Sequence, residues 1–114
     1  MSPLAGTMVA AMVSIGIAAP AAHAEALWCA VIDQDSHRAF VSDVRTEDAI
    51  SKSQAWRYSE RFVEAVNGRY STRLPRSDSA CRVFQTAESG NAALTRWLST
   101  AQRHGNTRVL QGTF

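Results

Sequence analysis

Apolar residues recur in two different rhythms along this chain. Residues 26–32 (Ala-Leu-Trp-Cys-Ala-Val-Ile) are apolar on both alternating faces, Leu27, Cys29 and Val31 against Trp28, Ala30 and Ile32. That is the pattern of a central strand covered on two sides. The polar stretch Asp33-Gln34-Asp35-Ser36-His37 has the length of a hairpin loop. Residues 38–45 then read as the return strand, with Phe40 and Val44 on one face and Ala39 and Val41 on the other.

The rhythm next changes to that of a helix. Thr46 is the expected N-cap, and Glu47 and Asp48 put negative charge in the first turn, where the dipole favours it. The helix is expected to run to about residue 66. At 100° per residue, Ala55, Tyr58, Ser59, Phe62, Val63 and Val66 share one face, and Gln54, Arg57, Glu60, Arg61 and Glu64 share the other. Asn67-Gly68 is the expected stop. Residues 69–80 lack periodicity and contain Pro75, so they read as a loop.

A second strand is expected over residues 81–85. Thr86 or Ser89 then caps a helix carrying Leu94, Trp97, Leu98 and Ala101 at i, i+3, i+4 and i+7, with Gly90 weakening its first turn. Gly105-Asn106 stops it, and residues 107–114 form a last strand. The order is β-β-α-β-α-β, an α+β fold with a mixed four-stranded sheet. Right-handed crossovers are expected to place both helices on one face.

Composition adds an export signal to this picture. Residues 1–24 contain no Lys, Arg, Asp or Glu, and residues 4–19 are an apolar run of h-region length. Pro20 breaks the run, and Ala22-His23-Ala24 is an A-x-A cleavage site. The alternative is an uncleaved membrane anchor, the one membrane contact that the sequence suggests. Cleavage after Ala24 leaves residues 25–114 as a single domain, periplasmic or secreted. In such a compartment the two cysteines, Cys29 and Cys81, are expected to form a disulfide, because no CxxC and no third thiol is present.

Two resemblances follow. Trp28-x-Cys29, the return strand Phe40-Val41-Ser42-Asp43-Val44, and Cys81 before the last helix resemble small exported bacterial proteins of unassigned function, a likeness that implies no catalytic residue. Arg82-Val83-Phe84, Ala92-Ala93-Leu94 and Arg108-Val109-Leu110-Gln111-Gly112 resemble half of a SPOR domain, which implies peptidoglycan binding. The order here begins β-β where that family has β-α-β.

Charge is distributed unevenly. Residues 25–66 hold eight acids and five bases, and residues 67–114 hold two acids and seven bases, within a net charge of +2. Arg69, Tyr70, Arg73, Arg76 and Arg82 surround Pro75 as a candidate anion- or partner-binding site, since Arg grips carboxylate or phosphate bidentately. A solvated loop is the competing reading, because eleven of the twelve bases are Arg. Trp28 is a candidate exposed aromatic on the open sheet face, with packing under a loop as its alternative. Asp33, Asp35 and His37 alternate and so project to one side as candidate metal ligands, although turns favour Asp for local backbone bonds. No cofactor is expected.

No Ser stands in a G-x-S-x-G elbow, and Glu47 and Asp48 are adjacent on a helix, too divergent for paired-carboxylate catalysis. Export and the small net charge argue against nucleic acid. The expectation is a non-catalytic exported binding module, accessory or inhibitor-like, whose partner is another envelope or extracellular protein. The alternatives are a SPOR-like cell-wall glycan binder and a small hydrolase or metal-dependent enzyme using Asp33, Asp35 and His37.

Overall fold

A computed structural model describes residues 24–76 and 80–112, the side chains of residues 109–112 aside. Residues 1–23 of the predicted leader, residues 77–79 of the loop and the last two residues of the expected final strand lie outside the described residues. The elements are β1 (Glu25–Asp33), β2 (Arg38–Ser42), β3 (Arg45–Glu47), α1 (Lys52–Tyr70), β4 (Cys81–Phe84), α2 (Ala87–Arg103) and β5 (Thr107–Gly112). This is the α+β order expected, with one strand more.

The additional strand arises from a break in the hairpin's return. Val31↔Phe40 and Ala30↔Val41 pair β1 antiparallel with β2, and Leu27↔Arg45 and Glu25↔Glu47 pair it with β3. Between the two segments the register slips by one residue, as at a β-bulge. Ser42 fills the break: its hydroxyl accepts from Cys29 N at 2.8 Å and donates to Asp43 O at 2.9 Å. The expected single strand over residues 38–45 is therefore two, and the sheet has five strands. β4 pairs antiparallel with the other edge of β1, through Cys29↔Cys81 and Ala26↔Phe84. β5 runs parallel to β2 on the outside, with Arg38 opposite Thr107.

The two helices lie on opposite faces of this sheet, not on one. Leu27, Cys29 and Phe40 cluster with Phe62, Val63 and Val66 of α1. Trp28, their neighbour on β1, donates from Nε1 to Gly90 O of α2 at 2.9 Å and meets the Trp97 ring at 6.3 Å. Successive residues of a strand point to opposite faces, so α1 and α2 are separated by the sheet. The reason lies in the direction of the crossovers. The chain passes across β1 from β3 to β4 through α1, then returns across β1 and β2 to β5 through α2. Crossovers of one hand that travel in opposite directions fall on opposite faces.

Both layers are anchored on β1, where Ala26, Leu27, Trp28 and Cys29 are all fully buried. Under α1 the Cys29–Cys81 disulfide spans a sequence separation of 52. Above it, buried Ser59 accepts from Cys81 N at 2.9 Å. Under α2, Trp28 stacks on Phe84 with centroids 5.7 Å apart. Gly90 is needed at the contact: a Cβ there would stand 3.1 Å from Ala26 Cβ. Large side chains buried this fully contribute about 2–3 kcal/mol each.

The helix ends also differ from expectation. α1 begins after Ser51, which accepts from Gln54 N at 3.1 Å while Gln54 Oε1 accepts from Ser51 N at 2.9 Å, a capping box. Thr46 and Glu47 belong to β3 instead. At the other end Asn67 and Gly68 stay helical, and Ser71 takes the left-handed turn at φ 56°. α2 starts after Thr86, one of the two expected caps, with Ser89 N donating to its hydroxyl at 3.0 Å.

Candidate functional site

The predicted arginine loop does not assemble into one site. Arg69 and Tyr70 close α1, Arg73 and Arg76 lie in the segment after it, and Arg82 lies on β4. Arg76 spans two helical turns, donating to Glu60 at 3.0 Å and to Glu64 at 2.8 Å, so its charge is compensated. Tyr70 packs on Phe40 at 4.9 Å, with the guanidinium carbons of Arg38 and Arg69 at 5.8 and 5.7 Å from its ring. Arg82 points to the other sheet face, 5.6 Å over the Trp28 ring. Asn67 holds the segment itself: its Oδ1 accepts from Thr72 Oγ1 and Leu74 N, and its Nδ2 donates to Leu74 O.

Trp28 is not an exposed aromatic. It is fully buried, because α2 covers the face that was expected to stay open. The Asp33 carboxylate is engaged within its own turn, accepting from Ser36 Oγ at 2.6 Å and from Asp35 N at 3.4 Å. His37 sits exposed at the end of that turn with φ 56°. Among the described residues no group of three His, Cys, Asp or Glu side chains is placed to hold a metal ion. No described helix is long and apolar enough to cross a membrane.

A different set of arginines does gather, where β3 meets the first half of α1. Arg45 of β3 stands 4.9 Å over the Tyr58 ring, and Arg61, one turn further along α1, stands 5.9 Å from it. Gln54, Arg57, Tyr58 and Arg61 line a concavity on this flank. Glu47 compensates part of the charge: it accepts from Arg45 Nε at 3.0 Å and from the Tyr58 hydroxyl at 2.6 Å. Arg57 and Arg61 are exposed and form no ion pair among the described residues. They stand at i and i+4, a like-charge spacing that costs a helix a few tenths of a kcal/mol, about what an opposite-charge pair contributes.

The phenol at the centre of the set is itself perturbed. Its pKa is raised above the ordinary tyrosine value, first by the hydrogen bond to Glu47, then by burial. Tyr58 therefore stays neutral and donating through neutral pH. It braces Glu47 beside Arg45, while Arg57 and Arg61 form no ion pair among the described residues. Guanidinium groups set beside a phenol in this way have the geometry to grip a carboxylate or phosphate oxygen.

The sequence contained a signal for this set, in how charge divides across α1. Glu60 and Glu64 lean to the Arg76 flank, while Gln54, Arg57 and Arg61 lean to the β3 flank. A polar face read as one unit hides that division. Comparison with family models, with characterised proteins and with solved structures finds no match to this chain, so the two resemblances rest on the residues quoted for them.

Proposed function

We propose that this chain is an exported, non-catalytic interaction module of the bacterial envelope or extracellular space, and that it engages an acidic protein partner through the Arg45, Arg57, Tyr58 and Arg61 surface. The observation carrying this reading is the pair of exposed guanidinium groups at Arg57 and Arg61, without an ion pair among the described residues, beside a tyrosine hydrogen-bonded to Glu47. Arginine and tyrosine are the side chains that protein interfaces favour most. Periplasmic or secreted residence is supported by the disulfide and by the leader-like residues 1–24. The glycan-binding alternative loses Trp28 as its platform, since that ring is buried.

The test is capture of envelope and secreted proteins on the natively oxidised chain, beside an Arg57→Glu/Arg61→Glu variant. The expected result is an acidic partner held at low salt, weakened by raised salt, and bound about tenfold less tightly by the variant. The variant's melting temperature should stay within a few degrees, since both side chains are exposed. Equal retention by the two forms, or retention on purified peptidoglycan in place of protein, would remove the arginine surface from consideration.

A further inference from the structure

β4 pairs with β1 along one edge only, and the ladder register fixes which of its backbone groups point away. Ala30 N donates to Ala80 O at 2.9 Å, which sets residues 80, 82 and 84 facing β1 and residues 81 and 83 facing outward. The outward N–H of Cys81 is taken by Ser59 Oγ. The outward N–H and C=O of Val83 have no partner among the described residues.

The side chains at this edge are unusual for the molecule. Among the described residues, Trp56 and Val83 are the large hydrophobics left exposed, at 47% and 39%. Both belong to the α1 side of the sheet. Ile50 N donates to Glu25 Oε1 just before α1, and Tyr70 at its end packs on Phe40, so α1 runs along β1 and opposite to β4. One turn back from Ser59 along the helix therefore corresponds to two residues forward from Cys81 along the strand. That brings Trp56 to about the level of Val83, and Lys52, Ser53, Ala55 and Trp56 line a shallow concavity on the first turns of α1.

We propose that this edge takes up an extended segment of a partner polypeptide as an added strand, sheltered beneath the flank of α1. The segment bonds to the N–H and C=O of Val83 and sets an apolar side chain against Trp56 and Val83. Acidic residues flanking that side chain complement Lys52 above and Arg82 on the opposite face. A second copy of the chain is the competing occupant, and the test below separates the two. The edge is separate from the arginine surface, so the two are tested independently.

The probe is a random peptide library displayed on phage, selected on the natively oxidised protein. Selected peptides are expected to alternate apolar and polar residues, to carry Asp or Glu at their ends, and to protect the Val83 amide from exchange. Val83→Pro removes only an outward N–H, which an edge strand tolerates, and should weaken binding at least tenfold. Trp56→Ala changes an exposed side chain and should weaken it about fivefold with the fold unaltered. Binders indifferent to both substitutions, or a library that yields none, would overturn the proposal. So would a concentration-dependent dimer that Val83→Pro dissolves, since it would assign the edge to a second copy.

Discussion

On the α1 face, β1 and β4 are tied through sulfur, Ser59 adds a buried hydroxyl bond to the same cysteine, and Phe62, Val63 and Val66 close over both. On the α2 face the corresponding tie is a single indole. Trp28 holds Gly90 by its ring nitrogen, stacks on Phe84 and meets Trp97, while Leu94, Trp97 and Leu98 of α2 remain half-buried. One layer is secured covalently and the other by one large side chain. The first tie acts largely on the unfolded chain, by shortening its reach, and the second acts on the folded one.

Removing each tie in turn sharpens that contrast. Replacing Cys29 and Cys81 by Ala should have the largest effect, about 4 kcal/mol for a loop of this size, read from chemical denaturation of the reduced-free variant against the oxidised protein. Hydrogen exchange should show α1 and β4 opening first. If α2 opens first instead, the disulfide is not the tie of the α1 layer. Trp28→Phe should cost about 2 kcal/mol, through the lost bond to Gly90 and a partly emptied site, with exchange accelerating in α2 before α1.

The smallest effect belongs to the rim of the α1 layer. Tyr58→Phe should cost about 0.5–1 kcal/mol at neutral pH. Because the folded pKa of Tyr58 is raised, its contribution is intact below the ordinary tyrosine value of about 10 and is lost as pH climbs through the higher folded value. The wild type should therefore lose stability toward the variant only in that alkaline range. A difference between the two that stays constant to high pH would show that the phenol proton is not what matters.

Much of the fold was legible because its signals are local. The apolar character of both faces of residues 26–32 marks β1 as central and doubly covered, and α2 sits on it as that pattern requires. Placing both helices on one face contradicted this same pattern, since it overlooked the reversal of direction between the two crossovers. The start of α1 was misplaced because Thr46 followed by Glu47 and Asp48 mimics a cap, while Ser51 with Gln54 is the reciprocal pair that forms. The break at Ser42 left no periodic trace, for it depends on one hydroxyl replacing a ladder bond.

The candidate site was less legible, for a related reason. Proximity in sequence grouped Arg69, Arg73, Arg76 and Arg82, but strand alternation sends Arg82 to the far face and two helical carboxylates claim Arg76. The set that gathers joins Arg45 to Arg57 and Arg61 across a strand–helix junction. Tyr58 supplies the link, and nothing in its immediate neighbours announces that role.

The presence of only two cysteines has a consequence for biogenesis. A lone pair admits no scrambled isomer within one molecule, so an isomerase has nothing to reshuffle. Oxidative error is confined to crosslinks between copies, and Cys29 is synthesised well ahead of Cys81. Misassembly should therefore scale with the local concentration of unoxidised chains, rather than with the time each chain spends searching its own conformations.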